Sequence, residues 1–228
     1  MSRFLPWNVR QKETVGLHYS KAKKVLVMNQ KGGVGKSTLV AGTVSHLMQL
    51  GYRVELVDFD KQKSSYDWAH VVNPDRSQAY NPSLRNLSDM ASTLRVHRDT
   101  DFVILDSPSN FTTEDMMRYT YFVNGIVLPM SPSPVDLHAS LPFIKCIMDS
   151  GILSKRKIAL SFVINRYYRD DNRGERVRQL LKYFRHFPTL GRLSEDLAYQ
   201  EAFFNKVHID TSIDKKLWDD LVTWLQRI

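Results

Sequence analysis

The segment Lys31-Gly32-Gly33-Val34-Gly35-Lys36-Ser37-Thr38 constrains this chain more than any other, because of what lies on either side of it. The apolar run Val25–Met28 precedes it, and a stretch of helical period begins at Lys36. Strand, glycine loop and helix is the context in which such a loop works. Gly32, Gly33 and Gly35 let backbone N–H groups converge on phosphate oxygens without Cβ interference, and the helix N-terminus adds its positive pole. On this reading Lys36 pairs with β/γ-phosphates, Ser37 ligates Mg²⁺ and Thr38 bonds the α-phosphate. The spacing departs from G-x-x-x-x-G-K-S/T at its first position, where Gln30 stands.

The rest of the chain alternates short apolar runs with longer segments of helical period, the pattern of βαβ units and a mainly parallel sheet. Strands are expected at Lys24–Met28, Arg53–Val57, Phe102–Leu105, Gly125–Leu128 and Ile158–Ile164, with a short sixth near Thr189–Leu190. Helices are expected at Lys36–Leu50, Ser64–Val72, Ser83–His97, Thr113–Phe122, Asp136–Ser150, Arg173–Phe184, Asp196–Asn205 and Ile213–Ile228. The fold class is therefore α/β, a doubly wound and mainly parallel sheet flanked by helices. Residues 1–23 read as a basic N-terminal extension and 24–228 as one phosphate-loop domain.

Composition narrows the function classes. One cysteine, Cys146, excludes an intramolecular disulfide, a four-cysteine zinc site and a cluster held by two cysteines of one chain, and points to a reducing, cytoplasmic setting. The run Ile158–Ile164 has only strand length, so a membrane span is not expected. Formal net charge is +8, and the segment Lys155–Arg192, with eleven Lys or Arg against three acids, carries an equal excess.

The loop closely resembles the deviant Walker A motif of the ParA/MinD family of ATPases, in which its first lysine is a signature. The resemblance implies ATP and Mg²⁺ as ligands and a homodimer that sandwiches two nucleotides. Lys31 would then reach the partner's phosphates, as an arginine finger does elsewhere. Asp58-Phe59-Asp60-Lys61-Gln62 resembles the family's D-x-D-P-Q switch, with Lys61 in place of proline. This implies that Asp60 positions the attacking water and that Asp58 supports it near the metal. Phe102–Pro108 reads as a buried strand ending in an acid, so Asp106 joins Ser37 and Asp58 as the expected Mg²⁺ groups. At the end of the fifth strand, Asn165 occupies the position where the family places an adenine contact; a turn-forming asparagine is the plainer alternative. The resemblance spans about Lys24 to Val207.

Two surfaces remain open for such an ATPase. The basic segment favours non-specific DNA, with Arg169, Arg173, Arg176 and Lys182 as representative contacts and a nucleoid-associated location. The C-terminal stripe Leu217, Leu221, Trp224, Leu225 and Ile228 offers a membrane-binding alternative, but Asp219 and Asp220 oppose anionic lipid, so packing against the sheet is expected instead. The resemblance further implies a ParB-like or cargo adaptor that stimulates slow turnover while the dimer positions or segregates a cargo such as a plasmid. An ATP-gated interaction module with little turnover is the reading from another class.

Overall fold

The computed structural model describes residues 13–79, 86–168 and 173–228. In chain order, β1 (Thr14–Gly16), β2 (Lys23–Val27), α1 (Lys36–Gln49), β3 (Val54–Asp58), α2 (Ser64–Val72) and β4 (Ser77–Ala79) form the first part. There follow α3 (Leu87–Thr93), β5 (Arg95–His97), β6 (Phe102–Asp106), α4 (Thr113–Tyr119), β7 (Gly125–Met130), α5 (Pro134–Asp149) and α6 (Ile152–Arg156). The chain continues through β8 (Ala159–Tyr167), α7 (Arg173–Leu181), β9 (Thr189–Ser194), α8 (Leu197–Phe204) and α9 (Lys215–Arg227).

Among the described residues, seven strands form one sheet in the order β4-β3-β6-β2-β7-β8-β9, and every pairing in it is parallel. The expected doubly wound architecture is what the chain adopts. Successive side chains of a strand point to opposite faces, and β2 shows the consequence. Val25 and Val27 pack with Leu39, Val44 and Trp68 on one side, whereas Leu26 and Met28 pack with Phe143, Ile144 and Ile147 on the other. Because both faces are covered by helices, the strands are near-continuous apolar runs, which is why they were legible.

The differences from expectation have local causes. The helix expected at Ser83–His97 is present only at Leu87–Thr93, because Arg95–His97 pairs antiparallel with β1; residues 83–85 lie outside the described ones. Strand pairing and the burial of Val96 override the helical period there. Of the residues assigned to a basic extension, Thr14–Gly16 supply the partner strand, and Leu17 is fully buried, its N–H donating to the Leu94 carbonyl at 2.8 Å.

The apolar stripe of α9 is turned inward. Leu217, Leu221 and Leu225 are buried, and Trp224 and Ile228 pack on the same cluster. Glycines make the close approach possible: a Cβ on Gly42 of α1 would lie 2.2 Å from the fully buried Trp218 ring, and one on Gly125 of β7 2.6 Å from Ile228. Lys23, at the start of β2, donates its ammonium to the carbonyls of Leu225 and Gln226, groups that a helix end leaves without partners. The stripe is thus core packing, as the sequence reading favoured over a membrane anchor. Among the described residues, no helix is long and apolar enough to cross a membrane.

Gly42→Ala tests this seam. Alanine is worth about 1 kcal/mol more than glycine inside a helix, yet here overpacking against Trp218 is expected to win. Net destabilisation should be about 2 kcal/mol, read as a lower denaturant midpoint at unchanged slope.

Candidate nucleotide site

Strand register brings the site together. Val27 of β2 stands opposite Asp106 of β6, and Asp106 opposite Asp58 of β3. The loop leaving β2 and both strand-end carboxylates therefore lie at one level, at the carboxyl edge where parallel sheets bind ligands.

The loop adopts a conformation that needs its glycines. Gly33 and Gly35 have φ of 73° and 81°, in the left-handed region. Gly35 is also the residue before α1, and no side chain caps that helix, so its first N–H groups remain available to an anion. A Cβ at Gly35 would sit 2.1 Å from Asn165 Nδ2. That amide donates to the Val34 carbonyl at 2.7 Å and the Gly35 carbonyl at 3.0 Å, while its Oδ1 accepts from the Arg166 N–H. Asn165, which the resemblance assigned to the base, thus braces the phosphate loop from beneath. Its Nδ2 has both partners in the loop, and its Oδ1 is held by the next residue of its own strand.

Lys36 is buried, and its ammonium donates to Ser109 Oγ at 2.8 Å and to the Lys31 carbonyl at 3.3 Å. Among the described residues, no carboxylate lies within ion-pair distance of it. Burial pulls its pKa below the ordinary lysine value, opposed by the nearby charges of Asp106 and Asp60. Ser37 Oγ donates to Asp106 Oδ2 at 2.9 Å, and Ser65 Oγ donates to the same oxygen. The other oxygen, Oδ1, is buried with no hydrogen-bond partner. A hydroxyl beside a carboxylate with one unsatisfied oxygen suits Mg²⁺, a hard cation that takes oxygen ligands and completes its shell from phosphate and water. Among the described residues, no group of three or more His, Cys, Asp or Glu is placed to hold a metal ion.

The two switch acids differ. Asp58 is fully buried and accepts from the Asp60 N–H at 2.8 Å and the Tyr66 N–H at 3.0 Å, so it folds the turn. Burial raises its pKa. Asp60 is partly exposed, and its Oδ1 accepts from the Gln62 N–H at 2.9 Å. Lys31 is 41% exposed, with its ammonium 3.5 Å from Asp136 at the start of α5.

Beside the loop lies a cavity of about 340 Å³ lined by Gly33, Gly35, Thr38, Asn165, Glu195 and Tyr199, among others. It is of a size to take a nucleoside. Ser65, Ser109, Arg166 and Glu195 were not singled out from sequence. Serines give no periodic signal, and the last two meet only in space; Ser65 and Glu195 fall in the stretches Ser64–Ala69 and Leu190–Ala202, which resemble the family only as segments, and Ser109 follows the strand-end acid. Of the residues proposed for DNA, Lys182 is exposed just after α7, and Arg173 and Arg176 lie on α7. Arg169 lies outside the described residues.

Asp106 gives a pH prediction. Burial, then the neighbouring Asp58 charge, pushes its pKa from 3.8 up to about 7. Between those values the folded chain holds a proton that the unfolded chain releases, so the ligand-free protein loses stability as pH rises through that window. Asp106→Asn should melt higher than wild type at pH 7.5 by roughly 4–8 °C, about 2 kcal/mol, with the gap shrinking toward pH 4. Calorimetric scans without nucleotide or metal check this.

This geometry agrees with what the chain is similar to. The maintenance of carboxysome distribution protein A of Halothiobacillus neapolitanus is 29% identical over 147 residues, covering 64% of this chain and 67% of that protein. A variant of Cyanothece McdA in complex with ATP superposes with a TM-score of 0.67 at 14% identity, covering 92% of this chain and 98% of that one. The pNOB8 ParA bound to nonspecific DNA superposes with a TM-score of 0.58 at 16% identity, covering 89% and 99%. At such identities the structural likenesses show the fold. The model of the CobQ/CobB/MinD/ParA nucleotide binding domain matches residues 25–209, and the chain belongs to that family.

Proposed function

We propose that this chain is a ParA-like ATPase that dimerises around ATP, binds DNA without sequence preference and positions a cytoplasmic cargo through an adaptor protein. The observation that carries the reading is Lys36. Among the described residues the buried ammonium has a hydroxyl and a carbonyl as hydrogen-bond partners and no ion pair, and at the uncapped start of α1 it is poised for an anion.

In the proposed cycle the amides from Gly32 to Ser37 and the Lys36 ammonium bind the phosphates, and Thr38 and the adjoining cavity take the rest of the nucleotide. Ser37 and Asp106 would hold Mg²⁺, which when bound neutralises charge on the β/γ-phosphate oxygens. Asp60, the switch acid at the site's open side, orients the attacking water, with Asp58 fixing the turn that carries it. Lys31 exchanges Asp136 for the phosphates of a second subunit, and hydrolysis separates the pair. Support for a cargo role comes from the relatives, named for carboxysome distribution and for ParA. A plasmid and a protein body are both cargoes compatible with them.

Lys36→Ala should abolish nucleotide binding, whereas Asp60→Ala should bind ATP and fail to hydrolyse it. Equal ATP affinity in wild type and Lys36→Ala refutes the assignment.

Binding to random duplex DNA should require ATP. If Arg169, Arg173, Arg176 and Lys182 contact one phosphate each, raising salt from about 50 to 200 mM weakens binding near 10²-fold. Pelleting with anionic liposomes, with no DNA shift, would replace DNA by membrane as the surface.

A further inference from the structure

The strand end that supplies Asn165 also supplies a second brace. Arg166 has φ of 55°, a left-handed backbone unusual for a residue with a side chain. It lies where the β8–β9 register shifts, between Ile164 and Tyr167. Its Nε and Nη2 donate to the two carboxylate oxygens of Glu195 at 2.9 and 3.2 Å, a forked ion pair, and Nη1 donates to the Gly33 carbonyl at 3.1 Å. Glu195 is itself fixed, its N–H donating to the Tyr167 carbonyl at 2.9 Å. Gly33, Arg166 and Glu195 all line the nucleoside-sized cavity.

We propose that Arg166 is a positioning residue for the nucleotide. Its guanidinium, clamped by Glu195, ties the phosphate loop to the β9 end that lines the same cavity, and so sets both the aim of the loop amides and the width of the cavity. The inference rests on the nucleotide-binding reading and goes beyond it, since Arg166 is given no phosphate of its own. By accepting from Arg166, the Gly33 carbonyl fixes the orientation of that peptide group in the loop. The guanidinium fork also explains the uncommon backbone. A left-handed turn at Arg166 lets residues 165 and 166 brace the same loop at adjacent peptide groups, Asn165 at Val34 and Gly35 and Arg166 at Gly33.

The test uses the full chain with Arg166→Asn, which tolerates left-handed backbone and removes the fork, Glu195→Gln, and the double variant. Titration with fluorescent N-methylanthraniloyl-ATP and -ADP should show each single variant weakening both nucleotides by the same factor, about tenfold. The double variant should be no worse than the weaker single, because both changes break one unit. The loss should appear more strongly in KM than in kcat, because the clamp acts on how the nucleotide is held. Unchanged affinities, additive losses, or weakening of ATP alone, as a direct γ-phosphate contact requires, would each overturn the proposal. Hydrogen exchange of the nucleotide-free protein separates the two readings. Arg166→Asn should speed exchange at residues 32–36, and wild-type rates there overturn the clamp. If wild type binds neither nucleotide, the function reading fails while the exchange result still decides whether Arg166 orders the loop.

Discussion

The start of α1 is the constraint on which the rest turns. A helix exposes its first N–H groups, and most proteins close that end with a serine, threonine or acid side chain. Here the position is Gly35, in a left-handed conformation and without a side-chain cap. Near the positive end of the helix stand the buried Lys36 ammonium, which among the described residues has no ion-pair partner, and the unbonded Asp106 Oδ1. Opposite charges and open donors held in one place, all at the carboxyl edge of a parallel sheet, suit the nucleotide-binding role of the family to which the chain belongs.

Holding these groups open requires rigidity elsewhere, and the molecule supplies it from two directions. From below, Asn165 and Arg166 reach up from β8 to the carbonyls of the loop. From behind, Trp218 of α9 presses against the bare backbone at Gly42 of α1, so the helix bearing the phosphate loop is seated on the C-terminal helix as well as on the sheet. His46, further along α1, contacts Thr211 through Nδ1 at 3.0 Å and extends the same seam. The loop's mobility is thus constrained at its base, its crest and the far end of its helix.

Much of this was readable in the sequence, and the reasons are physical. The β2, β3, β6, β7 and β8 strands are buried on both faces, so they stand out as apolar runs, and the Gly-Lys-Ser signature falls directly between a strand and a helix. The acids Asp58, Asp60 and Asp106 were identifiable because they end such runs. What remained hidden was of another kind. β4 has three residues, Ser77–Ala79, with no apolar alternation, and β5 is a strand only because β1 pairs with it. Arg166 counted only as one more charge in a basic segment. Its role depends on Glu195, 29 residues away, and on a left-handed turn that no propensity for arginine suggests. Asn165 was recognisable as important by its place at a strand end, but which partner it serves is decided by the loop beneath which it lies.

The unsatisfied charges have a thermodynamic consequence for the cell. Whatever fills the pocket relieves desolvation costs that the empty protein bears, so occupancy and folding are linked by mass action. At a ligand concentration a hundredfold above its dissociation constant, the folded state gains about 2.7 kcal/mol, a sizeable fraction of the stability of an ordinary domain. The nucleotide pool would then regulate more than the conformation of this chain. It would also set how much of it survives proteolytic surveillance, and a drop in that pool would thin the population before any change in synthesis.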